Sequence, residues 1–420
     1  MLPGPLTPRR QESVVRLGTW MPFAQAAEAL AFFTGVTVSA ATVRRTTEGA
    51  GAAYEAVQTT EVAAIEQQLP AVPPGPRVQL LSVDGAMVPL RQQAWAEVKT
   101  LAIGTVGGPV RERGDWVVHT EELSYVSRLA AAETFGRLAL VETHRRGTET
   151  ARTVCAVSDG AEWIQGFVDF HRPDAVRILD FPHAVSYVAQ AGHAVYGEGT
   201  AAFTQWFTVQ RQALRHGDPG EVLQALRRLA TTAKRRKAKA ATATVQESLG
   251  YLAKRRGMLD YAWFDARGFP IGSGSVESAN KLVVERRLKG AGMHWARAHV
   301  NPMVALRAMA CSDRWQEAWP QLAQQVRQQV WQGRRQRQRA RRQAKTPAPV
   351  PTLSPPPPAA LSMAPAGEAL PAPRHAPSPQ PVVPQVAPGP YRPPSDHPWR
   401  RFPISWKNTQ QTKRVAVAKL

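Results

Sequence analysis

The sequence predicts an α/β fold, a mixed sheet with flanking helices, joined to segments that are helical throughout. Three observations predict it. Short apolar runs bounded by turns, at 78–84, 153–157 and 175–179, read as buried strands. Helix-patterned stretches follow them at 130–146, 162–170 and from about Pro182. A chain of 420 residues with 43% apolar content has room for two or three domains, one with a large core.

In chain order, residues 1–68 form a helical region. Phe23, Ala26, Ala27, Leu30 and Phe33 share one face of a helix, Thr34 to Val38 is a turn, and Ser39 is a good N-cap for the next helix. A helix, a Gly-containing turn and a helix bearing Arg44 and Arg45 suggest a helix-turn-helix-like unit that reads DNA, or an ordinary helical hairpin. The prolines of 69–77 mark a linker. A catalytic domain is expected over 78–320. Its first strands are 78–84, about 86–90 and about 95–106, with turns at Asp84-Gly85 and Gln92-Gln93. Strand 153–157 and strand 175–179 come later, separated by helices. Three hairpin-like strands followed by helix, strand, helix, strand and helix match an RNase H-like arrangement. An all-α, basic insertion at about 197–265 interrupts it, and 301–319 reads as the last packed helix. Residues 321–420 are expected to be a basic and then Pro-rich disordered tail: 20 of the 36 prolines lie between Pro347 and Pro403.

The charge narrows the partners. Fifty-three Lys and Arg against 32 Asp and Glu give +21, which points to a polyanion, with nucleic acid the first candidate. Ten Lys/Arg and one acid, Glu247, fall between Arg227 and Arg256, dense enough to track phosphates. Two cysteines, Cys155 and Cys311, exclude a disulfide framework and a cysteine zinc cluster. No signal peptide or membrane span is evident, so a soluble cytoplasmic, nucleoid-associated protein with no membrane partner is expected.

Three acids stand out because glycine and small residues frame them. Asp84 follows Leu-Leu-Ser-Val, Asp159 follows Val-Cys-Ala-Val-Ser, and Glu277 follows Gly-Ser-Gly-Ser-Val at the start of a helix. Two strand ends and a helix can bring three carboxylates to one place, as a two-metal phosphodiester site requires. Mg²⁺, or Mn²⁺ in its stead, suits such hard oxygens. Asp84 on the central strand is the natural bridging ligand. Lys281, Arg286, Arg287 and Lys289 extend a basic surface beyond Glu277, and Glu285 is a rival acid on the same helix. Asp180 and His183, three apart at a strand-to-helix junction, read either as a supporting pair beside the metals or as a helix cap.

Ser-Val-Asp-Gly at 82–85, Val-Ser-Asp-Gly-Ala-Glu-Trp-Ile at 157–164, Ile-Leu-Asp-Phe-Pro-His-Ala at 178–184 and Gly-Ser-Gly-Ser-Val-Glu-Ser-Ala-Asn-Lys at 272–281 resemble motifs of bacterial insertion-sequence transposases of the DDE class. The pattern is similar to the ISKra-type family, related to the Mutator-like transposases. Residues 287–295, Arg-Leu-Lys-Gly-Ala-Gly-Met-His-Trp, are similar to that family's sequence after the glutamate. The resemblance covers about residues 13–320. It implies that Asp84, Asp159 and Glu277 are the catalytic triad and that Asp180 and His183 match the Asp/Cys-x-x-His motif of the Mutator-like group. It implies a DNA transposase that binds element ends and target DNA, assembled as a homo-oligomer. A nuclease of the same fold and a transposase-derived DNA-binding protein without mobility are the alternatives.

Overall fold

The computed structural model describes residues 6–68, 70–112 and 115–345. Its centre is a five-stranded mixed sheet in the order β5-β2-β1-β6-β7. The strands are β1 (Val78–Pro89), β2 (Trp95–Val106), β5 (Thr120–Arg128), β6 (Thr153–Ser158) and β7 (Val176–Leu179). β3 (Val110–Glu112) and β4 (Asp115–Val117) form a separate two-stranded ribbon between β2 and β5. β1, β2 and β5 pair antiparallel, whereas β1, β6 and β7 pair parallel.

Helices cover both faces, which is why β1 reads as a continuous apolar run rather than an alternating one. Leu81, Val83, Leu101 and Ile103 pack against Phe135 of α4 (Ala132–Arg145) and Phe167 of α5 (Glu162–His171). On the opposite face, Leu80, Val157 and Ile178 meet Ala184 and Val188 of α6 (Phe181–Tyr196). Helices α7 (Ala201–His216), α8 (Pro219–Arg235), α9 (Lys239–Lys254) and α10 (Tyr261–Ala266), with a 3₁₀ turn at Arg256–Met258, fill the expected all-α insertion. Leu214, Leu226, Val245 and Leu252 join the α6 core, so the insertion is anchored to the sheet.

Glu277 lies on one helical rod in three parts: α11 (Gly274–Ala279), a π-helix (Asn280–Glu285) and α12 (Arg286–Leu288). Val276, Val283 and Val284 pack against Ala86, Val88 and Val98, on the sheet face that also carries Asp84, and against Val300 and Met303 of α13 (Arg297–Cys311). The N-terminal helices are α1 (Pro8–Trp20), α2 (Phe23–Thr34) and α3 (Ala40–Gln68). Ser39 Oγ accepts from the Thr42 amide at 3.2 Å, the cap that the sequence suggests. α3 runs close along α13: a Cβ at Gly51 would stand 2.2 Å from the Pro302 carbonyl, so only glycine permits the approach. The described residues up to Ala344 belong to one compact unit, and α1, α3 and α13 share a core through Val15, Tyr54 and Leu306.

Two expectations need correction. Residues 78–84 and 86–90 are one strand rather than two, because β2 pairs with β1 from Gln79 to Pro89. Gly85 is not a turn; a Cβ there would meet the Glu97 carboxylate at 2.2 Å. The third strand of the antiparallel half is β5. The basic start of the tail is also ordered: α14 (Trp315–Lys345) is a helix, nucleated where Trp315 and Leu322 bury against Val15 and Leu306. Its Gln and Arg residues are good helix formers. The expected disordered Pro-rich part, 346–420, lies outside the described residues. No described helix is long and apolar enough to cross a membrane.

Candidate active site

The spacing of the first two acids follows from the sheet. Ser82 pairs with Val157 across the parallel β1–β6 ladder, 75 residues apart, and Ser82 Oγ donates to the Val157 carbonyl at 2.7 Å. Two residues further along each chain come Asp84 and Asp159, so the register that seals the core also juxtaposes them. Asp84 Oδ1 accepts from the Gly85 amide at 2.7 Å and Oδ2 from Asn280 Nδ2 at 2.9 Å. Burial pushes its carboxyl up to about 6, and the nearby charges of Asp159 and Glu277 push the same way. The three acids therefore share one electrostatic neighbourhood centred on Asp84. None of them makes a salt bridge among the described residues.

Asp159 is held from the insertion. Its Oδ1 accepts from the Ala161 amide at 2.9 Å, and its backbone carbonyl accepts from the Tyr251 hydroxyl. Gly160 follows in the left-handed region, at φ +80°, where a Cβ would collide with Arg255. The Arg255 guanidinium donates twice to the Gly160 carbonyl, at 3.0 and 2.7 Å, and stacks 3.7 Å from the Tyr251 ring centre. Tyr251 stacks in turn on Tyr187 at 4.0 Å.

Asp180 caps α6, accepting from the His183 amide at 2.8 Å, so the cap reading of this motif describes its geometry. Its other oxygen accepts from the Ser273 amide at 2.7 Å, and Ser273 Oγ donates to Glu277 at 3.0 Å. Asp180 is 4% exposed, and burial followed by the Glu277 charge raises its carboxyl. The His183 ring lies edge-on to Tyr187 and Tyr251; burial lowers its pKa, which favours the neutral imidazole, against the pull of Asp159 and Asp180.

Glu277 itself is exposed. Its rival Glu285 is bound to Lys289 at 2.6 Å, and Asp84 responds to Glu277 instead. Of the expected basic surface, Arg44, Arg45, Lys281, Arg286 and Lys289 are exposed, Lys289 in that ion pair. Arg287 is corrected: it is 2% exposed, its guanidinium 4.6 Å from the Phe23 ring and 5.2 Å from the Trp295 ring. Trp295 lies in the same short stretch, but Phe23 and the Gly18 carbonyl that complete the enclosure are more than 260 residues away. Sequence reasoning also passed over Asn280, Tyr251 and Arg255. Arg255 was hidden within the basic run; only Asn280, inside the Glu277 motif, carried a signal.

Among the described residues no three His, Cys, Asp or Glu side chains stand close enough to cage an ion as they are. In type and charge the set does fit one: three hard carboxylates, mutually repelling, with no cation paired to them. Two concavities of about 330 and 490 Å³ are lined by other residues. A scan against known family models finds no match to the chain, and a comparison with curated proteins finds none either.

Proposed function

We propose that this chain is a DNA transposase of the insertion-sequence type, acting through Asp84, Asp159 and Glu277. The observation that carries the reading is the electrostatic meeting of three acids, from β1, the end of β6 and α11, at one carboxyl that has no basic partner among the described residues. The sheet order supports the RNase H-like assignment, with β1, β2 and β5 as the antiparallel half and β6 and β7 as the parallel half. The all-α insertion before Glu277 and the charge of +21 favour a DNA substrate.

Asp84, Asp159 and Glu277 would hold Mg²⁺ or Mn²⁺, which supplies Lewis-acid activation of water and charge neutralisation at a leaving 3′ oxygen. The chain's own groups set the geometry. Gly85 and Asn280 orient the Asp84 carboxylate, the Tyr251–Arg255 clamp fixes the Asp159 loop, and Ser273 ties Glu277 to the Asp180 cap. Arg44, Arg45, Lys281 and Arg286 offer exposed charge to phosphates. The α2–α3 pair is the helix-turn-helix-like reader of element ends, and the active form is a homo-oligomer on paired ends in the nucleoid.

The test is an end-joining reaction with Mg²⁺, a duplex carrying the element end, and a supercoiled target. Ends covalently joined to target are expected, and Asp159→Ala abolishes them while retaining end binding. Cutting without joining indicates the related nuclease. Binding with neither activity indicates a transposase-derived DNA-binding protein and overturns the enzymatic reading.

A further inference from the structure

Two buried arginines tie the helix that carries Glu277 to its neighbours, one from outside it and one from its own end. Arg307, on α13, is 1% exposed. Its Nε donates to the Val283 carbonyl at 3.3 Å and its Nη2 to the Leu282 carbonyl, both inside the π-helix. The Trp20 ring, at the end of α1, covers the guanidinium at 4.3 Å. Arg287 comes from the other direction: its Nε donates to the Gly18 carbonyl of α1 at 3.2 Å, and Phe23 of α2 flanks it. Neither guanidinium makes a salt bridge among the described residues; the Glu48 carboxylate, whose charge acts on Arg287, pairs with His299 instead. Burying two cations without carboxylates is costly, so carbonyls and rings must compensate.

What they hold is a wide turn. A π-helix inserts a residue into the α-helical register and is less stable than an α-helix of the same length. Here the inserted residue lets Asn280 face Asp84 while Val283 and Val284 still meet the sheet. Asn280 is 5% exposed and its Oδ1 has no hydrogen-bond partner, so the bond to Asp84 is the one side-chain hydrogen bond that holds it among the described residues, and the backbone must bring it there.

We infer that Arg307, assisted by Arg287, is a positioning residue: from α13, beneath Trp20 of α1, it holds the π-helix open, and the π-helix sets Asn280 against Asp84. The N-terminal helices are then part of the support of the Glu277 helix as well as a surface for DNA. The inference does not depend on the transposase reading, and its test uses neither DNA nor metal.

Amide hydrogen exchange of the full chain is measured for wild type, Arg307→Met and Arg307→Lys. Arg307→Met is expected to speed exchange over 280–288 by about tenfold or more, since it removes two charged hydrogen bonds and one alone is worth about that factor, with β1 and β6 unchanged and with partial rescue in Arg307→Lys. The side-chain amide protons of Asn280, assigned by their disappearance in Asn280→Leu, should lose protection in Arg307→Met. Should Arg307→Met fail to fold, Trp20→Leu leaves the arginine in place and removes only its ring; about threefold faster exchange in the same segment is expected. Unchanged exchange at 280–288, a uniform rise across the whole unit, or an Asn280 side chain as protected as in wild type would each overturn the proposal.

Discussion

Asp84 and Asp159 are placed by a sheet, whereas Glu277 is placed by a helix that rests on the sheet through valines and is tethered by polar contacts. The first two sit where paired strands with apolar faces leave the chain little choice, and their separation is the register of the β1–β6 ladder. Glu277 stands exposed on a helix interrupted by a π turn, tethered through Ser273, Asp180 and two buried arginines. A hydrophobic register is an all-or-none constraint. Hydrogen bonds that involve a charged group are individually worth only about 1.5–3 kcal/mol net. The difference teaches that the same site has a rigid half and an adjustable half.

The largest expected effect breaks the rigid half chemically while strengthening it physically. Asp84→Asn should reduce strand cleavage to background. The carboxyl's value is raised from 3.8 to about 6 by folding, so its stabilising share is complete below pH 3.8 and is lost as pH rises through 6. An amide removes that penalty. Metal-free Asp84→Asn should therefore gain on the order of 2–3 kcal/mol over wild type at pH 8, and nothing at pH 3, in denaturant titrations. A loss of stability at pH 8 would show that Asp84 is not the penalised group. Glu277→Gln, on the adjustable side, should lose cleavage as completely yet move the unfolding free energy by no more than about 0.5 kcal/mol, as an exposed position does.

The clamp on Asp159 tests whether the rigid half is rigid by itself. Arg255→Met leaves the ladder intact and removes two bonds to the Gly160 carbonyl. Single-turnover cleavage should fall about ten- to hundredfold, the range for groups that orient a metal ligand, at unchanged DNA affinity. Weaker DNA binding at an unchanged rate would assign Arg255 to phosphates after all. The smallest effect belongs to Glu285→Gln. Its partner is the exposed Lys289, an i,i+4 pair worth about 0.3–0.5 kcal/mol, so cleavage should stay within twofold of wild type. A large loss would transfer the third catalytic position from Glu277 to Glu285.

The same division governs what the sequence could reveal. The apolar runs at 153–157 and 175–179 and the Ser39 cap are local patterns, and they reappear as β6, β7 and the start of α3. Asp84-Gly85 imitates a turn because its reason for glycine, the Glu97 side chain on the neighbouring strand, is not local. Strand β5 escaped because Glu121 and Glu122 interrupt its apolar pattern at the start. At the site, the three acids were legible from their small-residue frames. The residues that hold them were not: Tyr251 and Arg255 reach Asp159 and Gly160 over 92 and 95 residues, and Arg287 reaches Gly18 over 269. Nothing in a local window distinguishes such an arginine from one that faces solvent.

The position of Arg307 in the chain also has a temporal meaning. Synthesis proceeds from the N-terminus, so all three carboxylates leave the ribosome before the guanidinium that braces the Glu277 helix. A product truncated between residues 290 and 306 would carry the full acidic set without its brace. If the chain cuts DNA as proposed, that activity would await α13, whose residues complete both the packing and the brace of the Glu277 helix.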